Sequence, residues 1–320
     1  MKAAVYYETG PTTVFKYEDV PDPECGPYDV AIDVKAVSIE GGDVLNRMGG
    51  EMLANPHIVG YCAAGVIYQV GEKVTDRKPG QRVTTTNMNG SHAAKRVVPA
   101  ITSWVMPDGL SFEEAACVPV TFGTAHDCLF EFGHLQKGET VLVQGGAGGV
   151  GMATIQLAKR AGARVLATAS TDQRLEKLKE LGLDEGINYV EKDLVAEVMR
   201  LTNDVGVNLV VDPIGGEVLQ KSLAAAGYRG RIITMGSAGR DFRKIDLQGF
   251  GQGNKSLTGV FLGAEIATER VQKIMGQLMA DIDAGELKVL IDKTFPLSQA
   301  ADAHAFIESR QAIGRVVLVP

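Results

Sequence analysis

The chain has 320 residues, of which 45% are hydrophobic and 22% are charged, and its formal net charge at pH 7 is −7. This composition is typical of a globular protein, and the length predicts two domains. The acidic balance argues against a nucleic-acid partner, because binding to a phosphate backbone usually needs a basic surface.

The sequence shows no apolar run long enough to cross a bilayer and no hydrophobic leader at its start, so we expect a cytoplasmic protein without a membrane partner. The four cysteines are widely spaced, with no C-x-x-C pair, which predicts buried, reduced thiols.

Two patterns divide the chain. Residues 1 to about 120 predict mainly strands, and alternation of apolar and polar side chains is clear at 30–37. From residue 140 the pattern predicts strands at 141–144, 164–169, 186–189, 209–212, 231–235 and 256–262. Helices are predicted to begin near Gly149, Gln173, Leu194, Glu217 and Ile245. This alternation predicts an α/β fold with a doubly wound parallel sheet, and the strand at 315–319 is expected to return to the β-rich part.

A glycine-rich turn between a predicted strand and a predicted helix is the most informative motif. Gly146, Gly148 and Gly151 fit G-x-G-x-x-G. In a dinucleotide site these glycines permit a tight turn, a close approach of the backbone to a pyrophosphate, and close packing of the helix on the strand, respectively. The N–H groups of the first helical turn then face the anionic ligand. A turn that serves packing alone is the alternative.

The end of the next predicted strand indicates which dinucleotide binds. Ser170 and Thr171 follow this strand, and Arg174 lies one turn further on. Hydroxyls and a guanidinium suit a 2′-phosphate, which favours NADPH over NADH. Asp172 would favour NADH, but its position is also that of a helix cap. Alternatively, Arg174 is one of several solvated charges on an exposed helix.

Several motifs together resemble the medium-chain dehydrogenase/reductase superfamily, and within it the zinc-independent quinone oxidoreductase (zeta-crystallin-like) branch. The residues that carry the resemblance are Gly123-Thr124-Ala125, Ala147-Gly148-Gly149-Val150-Gly151, Ile187-Asn188-Tyr189, Asp212-Pro213-Ile214-Gly215-Gly216 and Gly314-Arg315-Val316-Val317-Leu318. The resemblance implies a Rossmann domain at 123–262 and a discontinuous GroES-like β-barrel catalytic domain at 1–122 and 263–320.

The resemblance also implies roles for individual residues. Arg174 and Tyr189 would lie beside the 2′-phosphate, and Thr124 beside the nicotinamide. The turn at Gly236 and Ser237 would face the cofactor, and the stretch that meets the carboxamide would be Phe261, Leu262 and Gly263. Packing or turn formation is the alternative for each of them.

The zinc ligands of related alcohol dehydrogenases are replaced here. By alignment with their motifs, Glu40 stands where they have a cysteine, Tyr61 where they have a histidine, and Val120 near the third ligand. Catalytic zinc needs three protein ligands of nitrogen, sulfur or carboxylate type, so we expect no metal. Without such a Lewis acid, reduction of an activated acceptor is more plausible than oxidation of an alcohol.

The candidate catalytic groups come from the same segments. Tyr61 takes the position of a zinc ligand, so its phenol is the first candidate to donate a proton or hydrogen bond to a substrate oxygen. Glu40 and Asp43 are further catalytic candidates, although Asp43 is alternatively a structural cap of the Gly41-Gly42 turn. Asn46, Tyr61 and His126 are candidate substrate contacts, and His126 is alternatively a core histidine.

The sequence therefore predicts a zinc-independent, NADPH-dependent reductase for a quinone or a similar small electrophile. A 2-alkenal or enoyl-thioester reductase and a non-catalytic, crystallin-like NADPH-binding protein are the alternatives. The apolar strand predicted at 256–262 would lie at the edge of the Rossmann sheet, where it predicts a homodimer.

Overall fold

The computed structural model describes residues 1–248 and 250–320. Two compact units are present, one formed by Met1–Gly123 with Ala264–Pro320 and the other by Thr124–Gly263. No helix in the described part of the chain is both long and apolar enough to cross a membrane.

The first part of the chain is mostly strands. In chain order its elements are β1 (Lys2–Val5), β2 (Lys16–Asp19), β3 (Asp29–Ser38), α1 (Gly41–Gly49), β4 (Cys62–Val70), β5 (Arg82–Thr86), β6 (Lys95–Pro99), β7 (Ser103–Val105) and α2 (Phe112–His126). A π-helical turn, Asp127–Glu131, continues α2.

Strands and helices then alternate, as the sequence predicts. The elements are β8 (Thr140–Val143), α3 (Gly149–Arg160), β9 (Arg164–Ala169), α4 (Asp172–Lys179), β10 (Glu185–Asn188), α5 (Leu194–Thr202), β11 (Val207–Asp212), α6 (Gly216–Ala225), β12 (Ala226–Thr234), β13 (Ser256–Gly259) and α7 (Leu262–Glu265). The last part of the chain contains α8 (Glu269–Asp283), β14 (Ile291–Pro296), α9 (Ala300–Glu308) and β15 (Arg315–Val319).

The sheet of the first unit joins strands from both ends of the chain. Its order is β14-β15-β3-β4-β5-β7, with β6 paired to β3. Alternating side chains of β3, including Val30, Ile32 and Val34, enter a core to which β15 also contributes. The antiparallel pairing of β15 with β3 places Leu318 opposite Val37. The returning C-terminal strand thus lies beside the segment that carries Glu40 and Asp43.

The second unit contains a parallel sheet in the order β10-β9-β8-β11-β12-β13. Counted from β8, this order is 3-2-1-4-5-6, the doubly wound arrangement of dinucleotide-binding folds. Successive strands are added on one side of β8 as far as β10 and then on its other side from β11, so the strand order reverses between β8 and β11. Ligands of such sheets bind outside the carboxyl ends of the strands at this point, which is where the glycine-rich turn lies. The predicted α/β fold class is confirmed.

One predicted helix of this unit is wrong, and one predicted strand is shorter than expected. Among the described residues no α-helix begins near Ile245, and the next helical turn is the short 3-10 turn Phe250–Gly253. The loop before it is bound to α6: the backbone N–H of Glu217 donates to Asp241 at 3.0 Å, and Gln220 and Asp246 exchange two hydrogen bonds. The predicted strand at 256–262 ends at Gly259, since ladder pairing with β12 stops there. Its apolar continuation enters α7 instead.

Candidate functional site

The glycine-rich turn joins β8 to α3. The sequence predicts the tight turn at Gly146. The residue with a left-handed backbone is Gly145 (φ 61°), so the turn lies one residue earlier. A β-carbon on Gly151 would overlap the carbonyl oxygen of Gly145 and lie 2.8 Å from the Cα of Gly146. A β-carbon on Gly148 would meet only that same carbonyl oxygen, at 3.3 Å. Gly151 is therefore a packing glycine, whereas Gly148 leaves space in front of the helix.

The N-terminus of α3 has the form of an anion site. The helix begins at Gly149, and its N-cap, Gly148, carries no side chain that could cover the first-turn N–H groups. Val150 and Gly151 complete that turn, and the side chain of Ala147 is buried behind it. Because the first N–H groups of a helix have no intrahelical partner, this end suits a pyrophosphate.

Beneath the turn lies a series of buried polar side chains, linked by hydrogen bonds, that the sequence did not predict. Thr168 accepts a hydrogen bond from the N–H of Gly145 at 3.0 Å and donates to Gln144 at 2.9 Å. Gln144 donates to Ser222 at 3.0 Å, and Ser222 donates to Asp212 at 2.8 Å. These residues connect β9, β8, α6 and β11, so the network fixes the turn at the point where the sheet reverses.

Asp212 completes this network at the end of β11. Burial raises the pKa of its carboxyl, while the hydroxyl of Ser222 and two backbone N–H groups of the following turn, at 2.8 and 3.0 Å, oppose the rise. The sequence signal for this anchor is one polar residue at the carboxyl end of each of two apolar strands, Gln144 directly after β8 and Asp212 as the last residue of β11.

The predicted 2′-phosphate residues collect at the ends of β9 and β10. Arg174 Nη1 donates to Ser170 Oγ at 3.2 Å, and Thr171 caps α4 by accepting from the N–H of Arg174 at 3.4 Å. Because Thr171 serves the cap, Ser170 and Arg174 form the hydrogen-bonded pair at the end of β9, and their contact with a 2′-phosphate stays a prediction.

The neighbouring acidic residue and tyrosine occupy the same edge. Asp172 accepts a hydrogen bond from Asn188 at 3.2 Å, so its carboxylate ties α4 to β10. The side chain of Tyr189 is 47% exposed directly after β10, and its N–H donates to Ala169 at 3.2 Å. Tyr189 therefore lies beside the end of β9, within the same cluster.

Thr124 and His126 lie in the last turn of α2. Thr124 is buried, and the ring of His126 lies 4.8 Å from that of Phe130. His126 is half-buried, and the substrate contact predicted for it stays a prediction.

The turns after β11 and β12 and the stretch before α7 hold the remaining predicted cofactor residues. Gly236 follows β12, and a β-carbon there would lie 3.3 Å from the carbonyl oxygen of Pro213. Ser237 accepts the backbone N–H of Arg240 at 2.8 Å. Phe261 is 62% exposed, and Leu262 starts α7. The Phe261 ring lies close to Gly263: a β-carbon on Gly263 would be 2.7 Å from Cε1 of Phe261.

In the first unit, Asp43 acts as a buried anchor. Its two carboxylate oxygens accept the N–H of Glu40 at 2.8 Å and that of Tyr61 at 3.1 Å. Burial raises the pKa of Asp43, while both N–H groups favour the carboxylate. The carboxyl thus joins the start of α1 to the residue that precedes β4. This geometry supports the structural interpretation, and the catalytic role stays a prediction.

Glu40 is buried as well, and it forms an ion pair that the sequence did not predict. Arg315 of β15 donates to Glu40 at 2.5 Å and to Ser38 at 2.6 Å, and Ser38 also donates to Glu40 at 2.9 Å. Burial raises the pKa of Glu40, and the guanidinium and hydroxyl oppose the rise. The carboxylate at the aligned cysteine position is therefore already neutralised by Arg315.

Tyr61 lies against α1. Its hydroxyl oxygen accepts a hydrogen bond from Asn46 Nδ2 at 3.2 Å, and burial raises the pKa of the phenol. Among the described residues, no group of three or more His, Cys, Asp and Glu side chains is arranged to hold a metal ion.

Comparison with known proteins agrees with both units. The alcohol dehydrogenase GroES-like domain family matches residues 26–128, and the zinc-binding dehydrogenase family matches residues 149–281. The synaptic vesicle membrane protein VAT-1 homolog of Rattus norvegicus is 34% identical over 319 residues, which cover 93% of this chain and 78% of that protein. The chain belongs to the medium-chain dehydrogenase/reductase superfamily.

Solved structures from this superfamily have the same fold. The quinone oxidoreductase of Escherichia coli complexed with NADPH has a TM-score of 0.95 and 27% identity, with 100% of both chains covered. The CurK enoyl reductase has a TM-score of 0.87 and 26% identity, with 99% of both chains covered. The predicted Rossmann and GroES-like fold is confirmed. The sequence predicts an oxidoreductase that uses NADPH, and these structural neighbours confirm that prediction.

Proposed function

We propose that this medium-chain dehydrogenase/reductase is a zinc-independent, NADPH-dependent reductase of a quinone or a similar activated carbonyl compound. The observation that carries the proposal is the arrangement at the ends of β8 and β9. The uncovered N-terminus of α3 suits a pyrophosphate, and Arg174 with Ser170 suits a 2′-phosphate. The NADPH bound to the Escherichia coli relative supports the same cofactor.

NADPH, when bound, supplies a hydride. The residues of the chain hold and orient it: the first turn of α3 receives the pyrophosphate, Arg174 and Ser170 receive the 2′-phosphate, and Thr124 with the Gly236 turn supports the nicotinamide end. The Tyr61 phenol supplies the proton or hydrogen bond for the acceptor oxygen. In this proposal the catalytic domain is 1–122 with 263–320, the Rossmann domain is 123–262, and the protein acts in the cytoplasm.

The residues at the aligned zinc positions support chemistry without zinc. Glu40 is held by Arg315, Tyr61 is a phenol that accepts from Asn46, and Val120 has no ligand atom. Since catalytic zinc takes three ligands, this set does not fit the metal. We therefore expect a chelator to leave the activity unchanged.

Replacement of Arg174 by glutamine is expected to weaken NADPH binding about 10- to 100-fold, the amount expected for loss of a charge-assisted hydrogen bond. NADH binding should change little, because NADH lacks the 2′-phosphate. Lys177→Gln, one turn further along α4 and exposed, is the matched control for lost positive charge. Dissociation constants from nicotinamide fluorescence measure both. Equal losses for NADPH and NADH would contradict the assignment.

An enoyl reductase is the second candidate, because a positioned phenol also suits protonation after hydride addition to an enone or an enoyl thioester, and the CurK enoyl reductase has this fold. NADPH consumption with benzoquinone, naphthoquinone, an enone and a crotonyl thioester, with and without chelator, separates the two. Turnover restricted to the thioester would favour the enoyl reductase. NADPH binding without any turnover would favour a non-catalytic NADPH-binding protein.

We also propose a homodimer through the stretch 256–262. In the described residues β13 pairs only with β12, so its outer edge has free backbone groups, and the exposed Phe261 follows it. Light scattering is expected to give twice the 34.0 kDa chain mass. A mass of one chain at working concentration would contradict this proposal.

A further inference from the structure

Helix α1 contacts Tyr61 at three points. A β-carbon on Gly42 would overlap the phenol ring and lie 2.6 Å from its oxygen, so the ring lies directly on the helix backbone. Asp43 accepts the Tyr61 N–H at 3.1 Å, and Asn46 Nδ2 donates to the Tyr61 hydroxyl oxygen at 3.2 Å. Ring, backbone and hydroxyl are therefore all fixed by one helix.

The Asn46 contact has a direction. Because the amide N–H donates, the Tyr61 oxygen acts as the acceptor, and no described residue accepts the phenol's own proton. We infer that Asn46 is a positioning residue that keeps the Tyr61 proton available to the acceptor oxygen. Asn46, predicted as a substrate contact, then acts through Tyr61. This inference rests on the proposed reductase function.

The protonation state of Tyr61 agrees with a donor. Burial and the nearby carboxylates of Asp43 and Glu40 raise the pKa of the phenol, so it stays protonated at neutral pH. The amide of Asn46 opposes the rise, since donation to the oxygen stabilises the phenolate. The same contact therefore orients the proton and eases its transfer.

Reduction of an acceptor with a conjugated carbonyl combines hydride addition to carbon with proton transfer from Tyr61 to oxygen. A hydride with its two electrons adds to the far carbon of the conjugated C=C bond. The π electrons of that bond form a new C=C bond to the carbonyl carbon, and the carbon–oxygen π electrons move to oxygen. The O–H bond of Tyr61 breaks and its proton forms the new O–H bond on the acceptor. Water then returns a proton to the Tyr61 phenolate. The acceptor class is thus a compound whose oxygen gains negative charge when a carbon is reduced.

The test uses Asn46→Asp, which keeps the side-chain size and reverses the polarity of the contact, because a carboxylate accepts the Tyr61 proton. Asn46→Ala removes the contact. Gln69→Glu, an exposed amide-to-carboxylate change on β4, controls for added charge. Alkaline titration of the apo-protein, followed at the phenolate absorbance and compared with Tyr61→Phe, measures Tyr61 without cofactor.

The pKa of Tyr61 is expected to rise in Asn46→Ala and further in Asn46→Asp, and to stay unchanged in Gln69→Glu. With a quinone or enone acceptor, kcat should fall about 10- to 100-fold in Asn46→Asp at an unchanged KM for NADPH, part of the effect of a positioned proton donor. An unchanged titration, or a shifted titration with an unchanged kcat, would overturn the inference. A wild-type protein that reduces no acceptor would overturn the proposed function, while the titration would still report the contact.

Discussion

Replacement of Tyr61 by phenylalanine is expected to lower kcat with quinone and enone acceptors by at least about 100-fold, because proton donation by a positioned side chain contributes about 10²- to 10⁴-fold. The ring would still fill the space over Gly42, so the fold should be unaffected. NADPH affinity should also be unchanged, since Tyr61 is assigned to the acceptor. Steady-state kinetics and NADPH fluorescence titration measure the two effects separately.

Tyr68→Phe is the matched control for this experiment. Tyr68 lies on β4, a few residues beyond Tyr61, and is partly buried. Loss of its hydroxyl should leave kcat unchanged. A Tyr61→Phe protein with wild-type kcat for every acceptor would show that protonation comes from water or from another group.

Substitutions in the glycine-rich turn have the second large expected effect, and two of its glycines, Gly148 and Gly151, should respond differently. Gly148→Val is expected to fold, because Gly148 has an ordinary backbone conformation (φ −83°) and space in front of it. Its side chain would occupy the place of the pyrophosphate, so NADPH affinity should fall by at least about 100-fold. Fluorescence titration measures the affinity, and thermal unfolding without cofactor checks the fold.

Gly151→Ala should affect the fold itself. Its β-carbon would overlap the Gly145 carbonyl oxygen, so we expect a destabilisation of about 1–3 kcal/mol in denaturant unfolding. Gly276→Ala in α8 is the control, because a β-carbon there meets no atom within 4 Å, and removing a helix-interior glycine should stabilise by about 0.5–1 kcal/mol.

If Gly148→Val kept its NADPH affinity, the pyrophosphate assignment would be wrong.

The sequence predicted features that depend on local patterns. Strands and helices of the second unit follow from apolar periodicity, and β9 and β15 have the predicted bounds. The turn at Gly145 to Gly151 was predictable because glycine is needed where backbones approach closely. The expected roles differ in detail, since Gly145 makes the turn and Gly146 packs against Ala167.

Long-range polar contacts could not be predicted in this way. The ion pair of Arg315 with Glu40 joins residues 275 positions apart, and the bond from Gln144 to Ser222 spans 78 positions. Nothing in a local pattern indicates such a partner. The helix predicted at Ile245 failed for the same reason, because hydrogen bonds to α6 determine the conformation of that loop.

We expect this chain to transfer a hydride from NADPH to an electrophilic carbon. NADPH carrying deuterium at C4 on either face, incubated with a quinone and with an enone in the presence of a chelator, tests it directly. Mass spectrometry of the enone product is expected to show one deuterium on carbon from one of the two labelled cofactors, with NADPH consumed in equal amount for both acceptors. No consumption of NADPH with any acceptor, or turnover that the chelator abolishes, would contradict the account.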